Sequence, residues 1–142
     1  MKRMGDGSMA VFADPVTALR SVIEAMDALK TVEIDGYRPK MRVGIHTGRP
    51  QRIGSDWLGL DVNIAARVME RATKGGLIVS QAVVDQIDKQ CLDALGVSFK
   101  RVRKQLFAPK ISGVPDDLVM YWVKQRKDAA TDIDYSETDG PE

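Results

Sequence analysis

The stretch DWLGLDVNIAARVME, residues 56–70, combines the apolar spacing of an amphipathic helix with an asparagine and an arginine four residues apart. The spacing predicts a helix over residues 59–73, and the pair Gly75-Gly76 provides the signal that ends it. The question is whether Asn63 and Arg67 belong to the solvated side of a packed helix or are directed at a ligand.

The polar residues of this helix fall on one stripe at helical period, which contains Asn63, Arg67, Glu70, Arg71 and Lys74. On periodicity alone, such a stripe is a solvated face. Two details favour a functional role. Asparagine is a poor residue for a helix interior because its side chain competes with the backbone for hydrogen bonds. The small pair Ala65-Ala66 beside Arg67 leaves a thin face that another surface can approach closely.

The segments before this helix predict a hairpin, a helix and a strand. KRMGDGSMAVFA is typical of two short strands around an Asp-Gly turn. Asp14 as N-cap and Pro15 at the first helical position begin a helix of about four turns. Its apolar stripe is Val16, Leu19, Val22, Ile23, Met26 and Leu29. KMRVGIHTG alternates at period two and predicts a strand that ends at Gly48.

The remaining segments complete an order of β-β-α-β-α-β-α-β-β. Residues 49–58 are interpreted as a polar loop. LIVS predicts a short strand, and its Ser80 caps a helix that runs to about Ala94. VSFKRVRKQLF and DLVMYWVK predict an antiparallel pair. This order indicates an α+β sandwich in which helices pack against a sheet.

Composition limits the class of protein. The chain has 142 residues, 44% of them hydrophobic and 29% charged, which fits one soluble globular domain. A net charge of +1 gives no general attraction to nucleic acid, and no apolar run is long enough for a membrane span. The single cysteine, Cys91, weakly favours a reducing compartment, so a cytoplasmic location is expected. Residues 126–142 are acidic and predict a disordered tail.

Four short motifs each have a structural and a chemical interpretation. GDG around Asp6 is most simply a hairpin turn, although a carboxylate at a tight turn can bind Mg²⁺. His46, the only histidine, favours a structural role at a strand end. Alternation splits the basic run at residues 100–104 between two faces, which favours an exposed strand over a nucleic-acid site. In the tripeptide Phe-Ala-Asp at residues 12–14, Asp14 precedes a proline and is better interpreted as an N-cap than as a metal ligand.

Taken in order, four stretches resemble the catalytic domain of class III nucleotidyl cyclases: KRMGDGSMAVF, MRVGIHTG, DWLGLDVNIAARVME and GGLIVS. The third is the most specific, because Asp56, Asn63 and Arg67 stand at the spacing D-x6-N-x3-R. The resemblance implies a ferredoxin-like cyclase fold with a mainly antiparallel sheet. It assigns residues 1–125 to a partial cyclase domain, truncated at the N-terminus, with residues 126–142 as the tail.

Carried over position by position, the resemblance implies a role for five residues. Lys2 and Asp56 select the base, and this pair is the one expected for adenine. Asn63 orients the ribose, and Arg67 binds the triphosphate and stabilises charge in the transition state. Asp6 is one of two carboxylates that bind two Mg²⁺ (or Mn²⁺) ions. The implied function is an adenylate cyclase that converts ATP to cyclic AMP and pyrophosphate for intracellular signalling.

One departure from the family separates two hypotheses. The second metal carboxylate of the family lies in an earlier strand, in a motif like F-x-D-I-x-G-F, and that motif is absent from this chain. The first hypothesis is an adenylate cyclase catalytic domain that works as a homodimer or with another cyclase domain, inactive as this chain alone. The alternative is a non-catalytic cyclase-like module that pairs with, or regulates, a complete domain.

Overall fold

The computed structural model describes residues 2–4, 7–73, 75–103 and 118–126, with the backbone alone at 2–4. The strands are β1 Lys2–Met4, β2 Gly7–Met9, β3 Arg42–Ile45, β4 Gln51–Ile53, β5 Asp56–Leu58, β6 Gly76–Ser80, β7 Val97–Arg101 and β8 Met120–Gln125. The helices are α1 Pro15–Leu29, α2 Leu60–Glu70, α3 Gln81–Val84 and α4 Lys89–Leu95. No helix among the described residues is long and apolar enough to cross a membrane.

A mixed sheet of four strands, in the order β3-β6-β8-β7, forms the centre of the fold. β3 and β6 are parallel, whereas β8 is antiparallel to both β6 and β7. The hairpins β1-β2 and β4-β5 are separate two-stranded ladders. The predicted α+β class and the mainly antiparallel sheet are confirmed, in an arrangement consistent with a ferredoxin-like fold.

Two apolar clusters lie on opposite faces of this sheet, because successive residues of a strand point to opposite sides. In β6, Ile78 belongs to the cluster with α2, while its neighbours Leu77 and Val79 belong to the cluster with α1. The α2 cluster consists of Ile64, Val68, Ala72, Ile78, Val102, Met120 and Trp122. The α1 cluster has Ala18, Leu19, Ile45, Leu77, Val79, Val83 and Ile87 at its centre.

The helix predicted from Asp14 is confirmed as α1, with its start signals in place. Asp14 accepts a hydrogen bond of 2.8 Å from the Thr17 backbone N–H and another from the Thr17 hydroxyl. These bonds lower the pKa of the Asp14 carboxyl, against a smaller opposing effect of desolvation. Pro15 stands in the first turn, where a missing N–H costs no hydrogen bond. Five residues of the predicted apolar stripe pack in the α1 cluster, with Leu19 fully buried: Val16, Leu19, Val22, Ile23 and Met26.

The interpretation of residues 49–58 as a polar loop is wrong. They form the hairpin β4-β5, in which Ile53 pairs with Asp56 across the two-residue turn Gly54-Ser55. Gly54 has φ +63°, a value that a two-residue hairpin turn requires and that glycine adopts without steric cost. The side chains of Ile53 and Leu58 remain exposed, so the strands lack the alternating burial that marks a strand in a sequence.

The single helix predicted from Ser80 to about Ala94 is also wrong, because the chain forms two helices. Asp88 begins α4 by accepting a hydrogen bond of 2.8 Å from the Cys91 backbone N–H. Ser80 precedes α3, but its side chain makes no capping hydrogen bond.

Two further predicted ends differ from the structure. The strand expected to reach Gly48 ends at Ile45, and the helix expected to reach residue 73 ends at Glu70. The helix ends there because the Arg71 and Ala72 N–H groups bond within a tightened last turn, to Val68 and Met69.

The antiparallel pair predicted for the end of the domain is confirmed as β7-β8, with Phe99 opposite Val123. Lys100 and Arg101 close β7 and are exposed, and Val102 is buried after them. The predicted tail beyond Arg126 and the turn residue Asp6 lie outside the described residues.

Candidate functional site

Asn63 and Arg67 lie on the side of α2 that faces away from the sheet. Four positions along a helix bring two side chains within about 40° of each other around its axis. The Asn63 side chain is exposed. The Arg67 side chain is only 14% exposed, and its Nη1 lies 3.5 Å from the Glu70 carboxylate. α2 therefore carries an exposed amide and a largely covered guanidinium one turn apart.

The predicted polar stripe does not act as one surface. Arg71 donates a hydrogen bond of 2.7 Å from Nη2 to the backbone carbonyl of Arg103. This bond ties the end of α2 to the segment after β7. Lys74, the last member of the stripe, lies outside the described residues. Arg71 therefore has a structural role, which distinguishes it from Asn63 and Arg67.

The opposite side of α2 is packed against the sheet at unusually short range. Ile64 and Val68 are buried in the α2 cluster. At Gly44 of β3, an added Cβ would lie 2.7 Å from the Met69 Cα and 2.9 Å from the Ala65 carbonyl oxygen. Those distances are below any normal contact, so the helix can approach β3 only because position 44 has no side chain.

The segment after β3 holds the first turn of α2 through two hydrogen bonds to Asp61, and a third bond joins the same segment to the end of β6. His46 Nε2 lies 2.8 Å from Asp61 Oδ1, and His46 Nδ1 lies 2.7 Å from the Ser80 hydroxyl. The Arg49 backbone N–H donates to Asp61 Oδ2 at 2.9 Å. At Gly48 an added Cβ would overlap the Asp61 carboxylate, so this glycine leaves the space that the carboxylate occupies.

The Asp61 carboxylate is stabilised in its charged form. The hydrogen bond from the Arg49 N–H and then the one from His46 hold its pKa below the usual value, against the opposing effect of desolvation. An ionised carboxylate only accepts hydrogen bonds. His46 Nε2 must therefore carry a hydrogen, and in the neutral ring Nδ1 accepts from the Ser80 hydroxyl. The Asp61 charge also lies in the first turn of α2, where the helix dipole favours it.

Asp56 lies in the hairpin that leads directly into this helix. It is half-buried at the start of β5, and Gly59 is the N-cap residue between β5 and α2. Next to it, Trp57 has the Arg52 guanidinium 5.9 Å from its ring centroid. The structure thus places Asp56, Asn63 and Arg67 in consecutive elements, β5 and α2, that contact each other.

The other two predicted site residues are not placed to the same extent. The backbone of Lys2 lies in β1, opposite Met9, but its side chain is outside the described part of the chain, as is Asp6. Within residues 7–73, 75–103 and 118–126, no group of three histidine, cysteine or acidic side chains is arranged to hold a metal ion. The predicted metal site, which rests on Asp6, stays a prediction.

The contacts of His46 and Asp61 were missed by the sequence reasoning, which gave His46 only a structural role at a strand end. Two signals point toward them. Asp61 stands in the first turn of a helix whose N-cap, Gly59, has no side chain, and Gly48 follows His46 by two residues. Neither signal identifies the partner, because the bonded residues are 15 and 34 positions apart in the chain.

The sequence is similar to two proteins whose names state an enzymatic activity. Over 126 residues, 88% of this chain, the sequence is 28% identical to the pH-sensitive adenylate cyclase of Mycobacterium tuberculosis. This chain is similar to adenylate cyclases. A protein of Rhizobium meliloti with the provisional name adenylate cyclase 3 is 29% identical over 89 residues, 61% of the chain.

The extent of these similarities is limited. The matched regions are 30% and 15% of the two relatives, so the chain spans less than a third of the length of either one. No protein-family model matches the sequence. The relatives support a function related to that of cyclases. The substrate and the reaction of this chain are proposals.

Proposed function

We propose that this chain supplies the base-, ribose- and phosphate-binding half of an adenylate cyclase site that converts ATP to cyclic AMP and pyrophosphate. The observation that carries the proposal is the placement of the exposed Asn63 and the largely covered Arg67 one turn apart on α2, a helix whose other side is held at Gly44 and His46. A site that must hold a nucleotide in one geometry needs its binding groups on such a firmly held element.

The proposed roles follow from the chemistry of each side chain. The Asp56 carboxylate accepts from the exocyclic amine of adenine, and the Lys2 ammonium donates to a ring nitrogen. The Asn63 amide both donates and accepts, which suits the ribose. Arg67 has a planar, permanently charged guanidinium that can bind phosphate oxygens where negative charge builds up as the ribose hydroxyl attacks.

The proposed site is completed by a second cyclase domain, either another copy of this chain or a longer relative. Two Mg²⁺ or Mn²⁺ ions are expected from the family resemblance, with Asp6 as one carboxylate. Metal ions at such a site neutralise phosphate charge and lower the pKa of the attacking hydroxyl. A cytoplasmic location belongs to this proposal, since ATP is the substrate.

The test is cyclic AMP production, measured by mass spectrometry, from the chain alone and from the chain mixed with a complete cyclase domain. In that partner, the equivalents of Asn63 and Arg67 are replaced by alanine so that it cannot form a site by itself. Activity in the mixture that Arg67→Ala abolishes supports the proposal. Arg20→Ala, on the exposed side of α1, is the matched control and should leave activity unchanged.

The same mixture distinguishes the alternative of a non-catalytic partner module. If the chain binds the partner domain but restores no activity, and Arg67→Ala changes nothing, then the pairing role remains and the catalytic proposal fails.

A further inference from the structure

Three elements that are far apart in sequence meet in one chain of hydrogen bonds. Ser80 ends β6, His46 follows the end of the neighbouring parallel strand β3, and Asp61 stands in the first turn of α2. The Ser80 hydroxyl lies 2.7 Å from His46 Nδ1, and His46 Nε2 lies 2.8 Å from Asp61 Oδ1. The His46 side chain is 8% exposed and the Asp61 side chain 33%.

A serine, a histidine and a carboxylate in a row also suggest a hydrolase triad, but the burial excludes that role here. Ser80 is 1% exposed, so its hydroxyl cannot reach a substrate. The residue also stands in the N-cap position of α3 without capping it, because its hydroxyl is turned to His46 instead. The network is therefore a structural link between β6, β3 and α2.

The position of Asp61 on α2 determines what this link controls. Asp61 and Asn63 are two positions apart, which separates their side chains by about 160° around the helix axis. When Asp61 is held against the sheet, Asn63 must point away from it, and Arg67 follows on the same outer face. Gly44 fixes the distance between α2 and β3, and the buried Ile64 and Val68 turn one stripe of the helix toward the sheet. These contacts begin after the first turn, whereas the bonds to Asp61 hold the first turn itself, from which Asn63 follows.

We infer that His46 is a positioning residue for the nucleotide site: through Asp61 it helps to fix the rotation of the first turn of α2, and with it the direction of Asn63 and, one turn later, Arg67. This inference rests on the proposed function for its consequence in catalysis. Its structural part, the rotation of α2, can be measured without any activity.

The structural experiment uses the full chain and its single histidine, whose imidazole ¹⁵N signals need no assignment by mutation. We expect Nε2 to carry the proton that is shared with Asp61. In His46→Leu, the amide ¹H–¹⁵N signals of Asn63 and Arg67 should shift, while those of α1 stay in place. His46→Gln, which can still donate one hydrogen bond to Asp61, should shift them less.

Thr47→Val is the matched control, because Thr47 follows His46 and its hydroxyl accepts a hydrogen bond from Gln86, outside the network. It should leave the α2 signals unchanged. If His46→Leu does not fold, His46→Asn provides the second variant, since its shorter amide can stay within reach of the Ser80 hydroxyl but cannot reach Asp61. Unchanged Asn63 and Arg67 signals in a folded His46→Leu or His46→Asn protein would overturn the inference.

The catalytic experiment repeats the series in the mixture with the complete cyclase domain. A misplaced pair of binding groups lowers kcat, since a displacement of about 1 Å can cost about 100-fold. His46→Leu should therefore lower kcat by about 10-fold or more with a smaller change in KM, and His46→Gln should recover part of the loss. If the wild-type mixture makes no cyclic AMP, the proposed function fails, while the amide signals still decide the positioning role.

Discussion

Gly44 and Met69 lie so close together that a Cβ on Gly44 would stand 2.7 Å from the Met69 Cα. The contact joins the middle of β3 to the last turns of α2, on the face of the sheet opposite α1. A helix at this distance cannot shift along the sheet without losing contact with it or overlapping it. The close approach of α2 to the sheet therefore depends on this glycine.

Gly44→Ala should destabilise the protein by about 1–3 kcal/mol, the usual cost of forcing an added methyl group into a packed interior. The methyl group would meet backbone atoms of α2, which cannot rotate away as a side chain can. The measurement is the free energy of unfolding from urea titration, followed by the fluorescence of the chain's two tryptophans.

The matched control for this substitution is Gly54→Asn in the β4-β5 turn. No atom lies within 4 Å of a Cβ at Gly54, and its φ of +63° is one that asparagine tolerates. Gly54→Asn should lower the free energy of unfolding by much less than Gly44→Ala does. Equal losses at the two positions would show that backbone conformation, and not the approach of α2, sets the requirement for glycine.

Local signals allowed much of the fold to be predicted. The start of α1 could be identified because Asp14 and Pro15 act on the turn that contains them. The β7-β8 pair was identified from its alternation. The β4-β5 hairpin was missed because Ile53 and Leu58 are exposed and so give no alternating burial. The break before α4 was missed because Asp88 caps a helix inside a run that has helical spacing throughout.

The residues of the candidate site also fall into those that the sequence predicts and those that it does not. Asp56, Asn63 and Arg67 were proposed from their spacing in one short segment, and the structure places them in adjoining elements. The bonds from His46 to Asp61 and Ser80 depend on how β3, β6 and α2 meet in space. A sequence pattern contains no information on that geometry, so these contacts required the structure.

The Asp61 carboxylate should make the stability of the protein depend on acid pH. Its pKa in the folded state lies below 3.8, chiefly because the Arg49 N–H and His46 bond to the charged form. The unfolded state therefore binds the proton more readily. This contribution to the free energy of unfolding is fully present above the unfolded pKa and is lost as the pH falls through the lower, folded value.

We expect Asp61→Asn to remove that part of the pH dependence. The difference in the free energy of unfolding between the wild type and this variant should be largest near pH 6 and shrink below about pH 4. Asp14, Asp27 and Asp88 also have lowered pKa values, so only this difference isolates Asp61. Glu24→Gln, on the exposed side of α1, is the control. A difference that stays constant from pH 6 to pH 2 would contradict the assignment.

Arg67→Ala should lower kcat far more than it raises KM when the chain is assayed with a complete cyclase domain. An interaction that forms mainly in the transition state affects kcat, and an arginine in a comparable phosphoryl transfer is worth about 10³ to 10⁵ in rate. Arg67→Lys should recover little, because an ammonium group does not reproduce the planar guanidinium. Steady-state kinetics check this, and a change confined to KM would count against the proposed role.

Base preference tests Lys2 and Asp56 together. In the proposed site, Asp56 accepts a hydrogen bond from the exocyclic amine of adenine and Lys2 donates to a ring nitrogen. The corresponding edge of guanine presents a carbonyl oxygen and an N–H, so donor and acceptor are reversed. Lys2→Glu combined with Asp56→Cys should therefore shift the ratio of kcat/KM from ATP toward GTP.

The measurement is competition between the two nucleotides in the mixture with a complete domain, with cyclic AMP and cyclic GMP counted in the same sample. Asp85→Cys on the exposed end of α3 is the control for an added thiol and should leave the ratio unchanged. If the double variant loses activity on both nucleotides in equal proportion, or keeps its preference for ATP, Lys2 and Asp56 do not select the base.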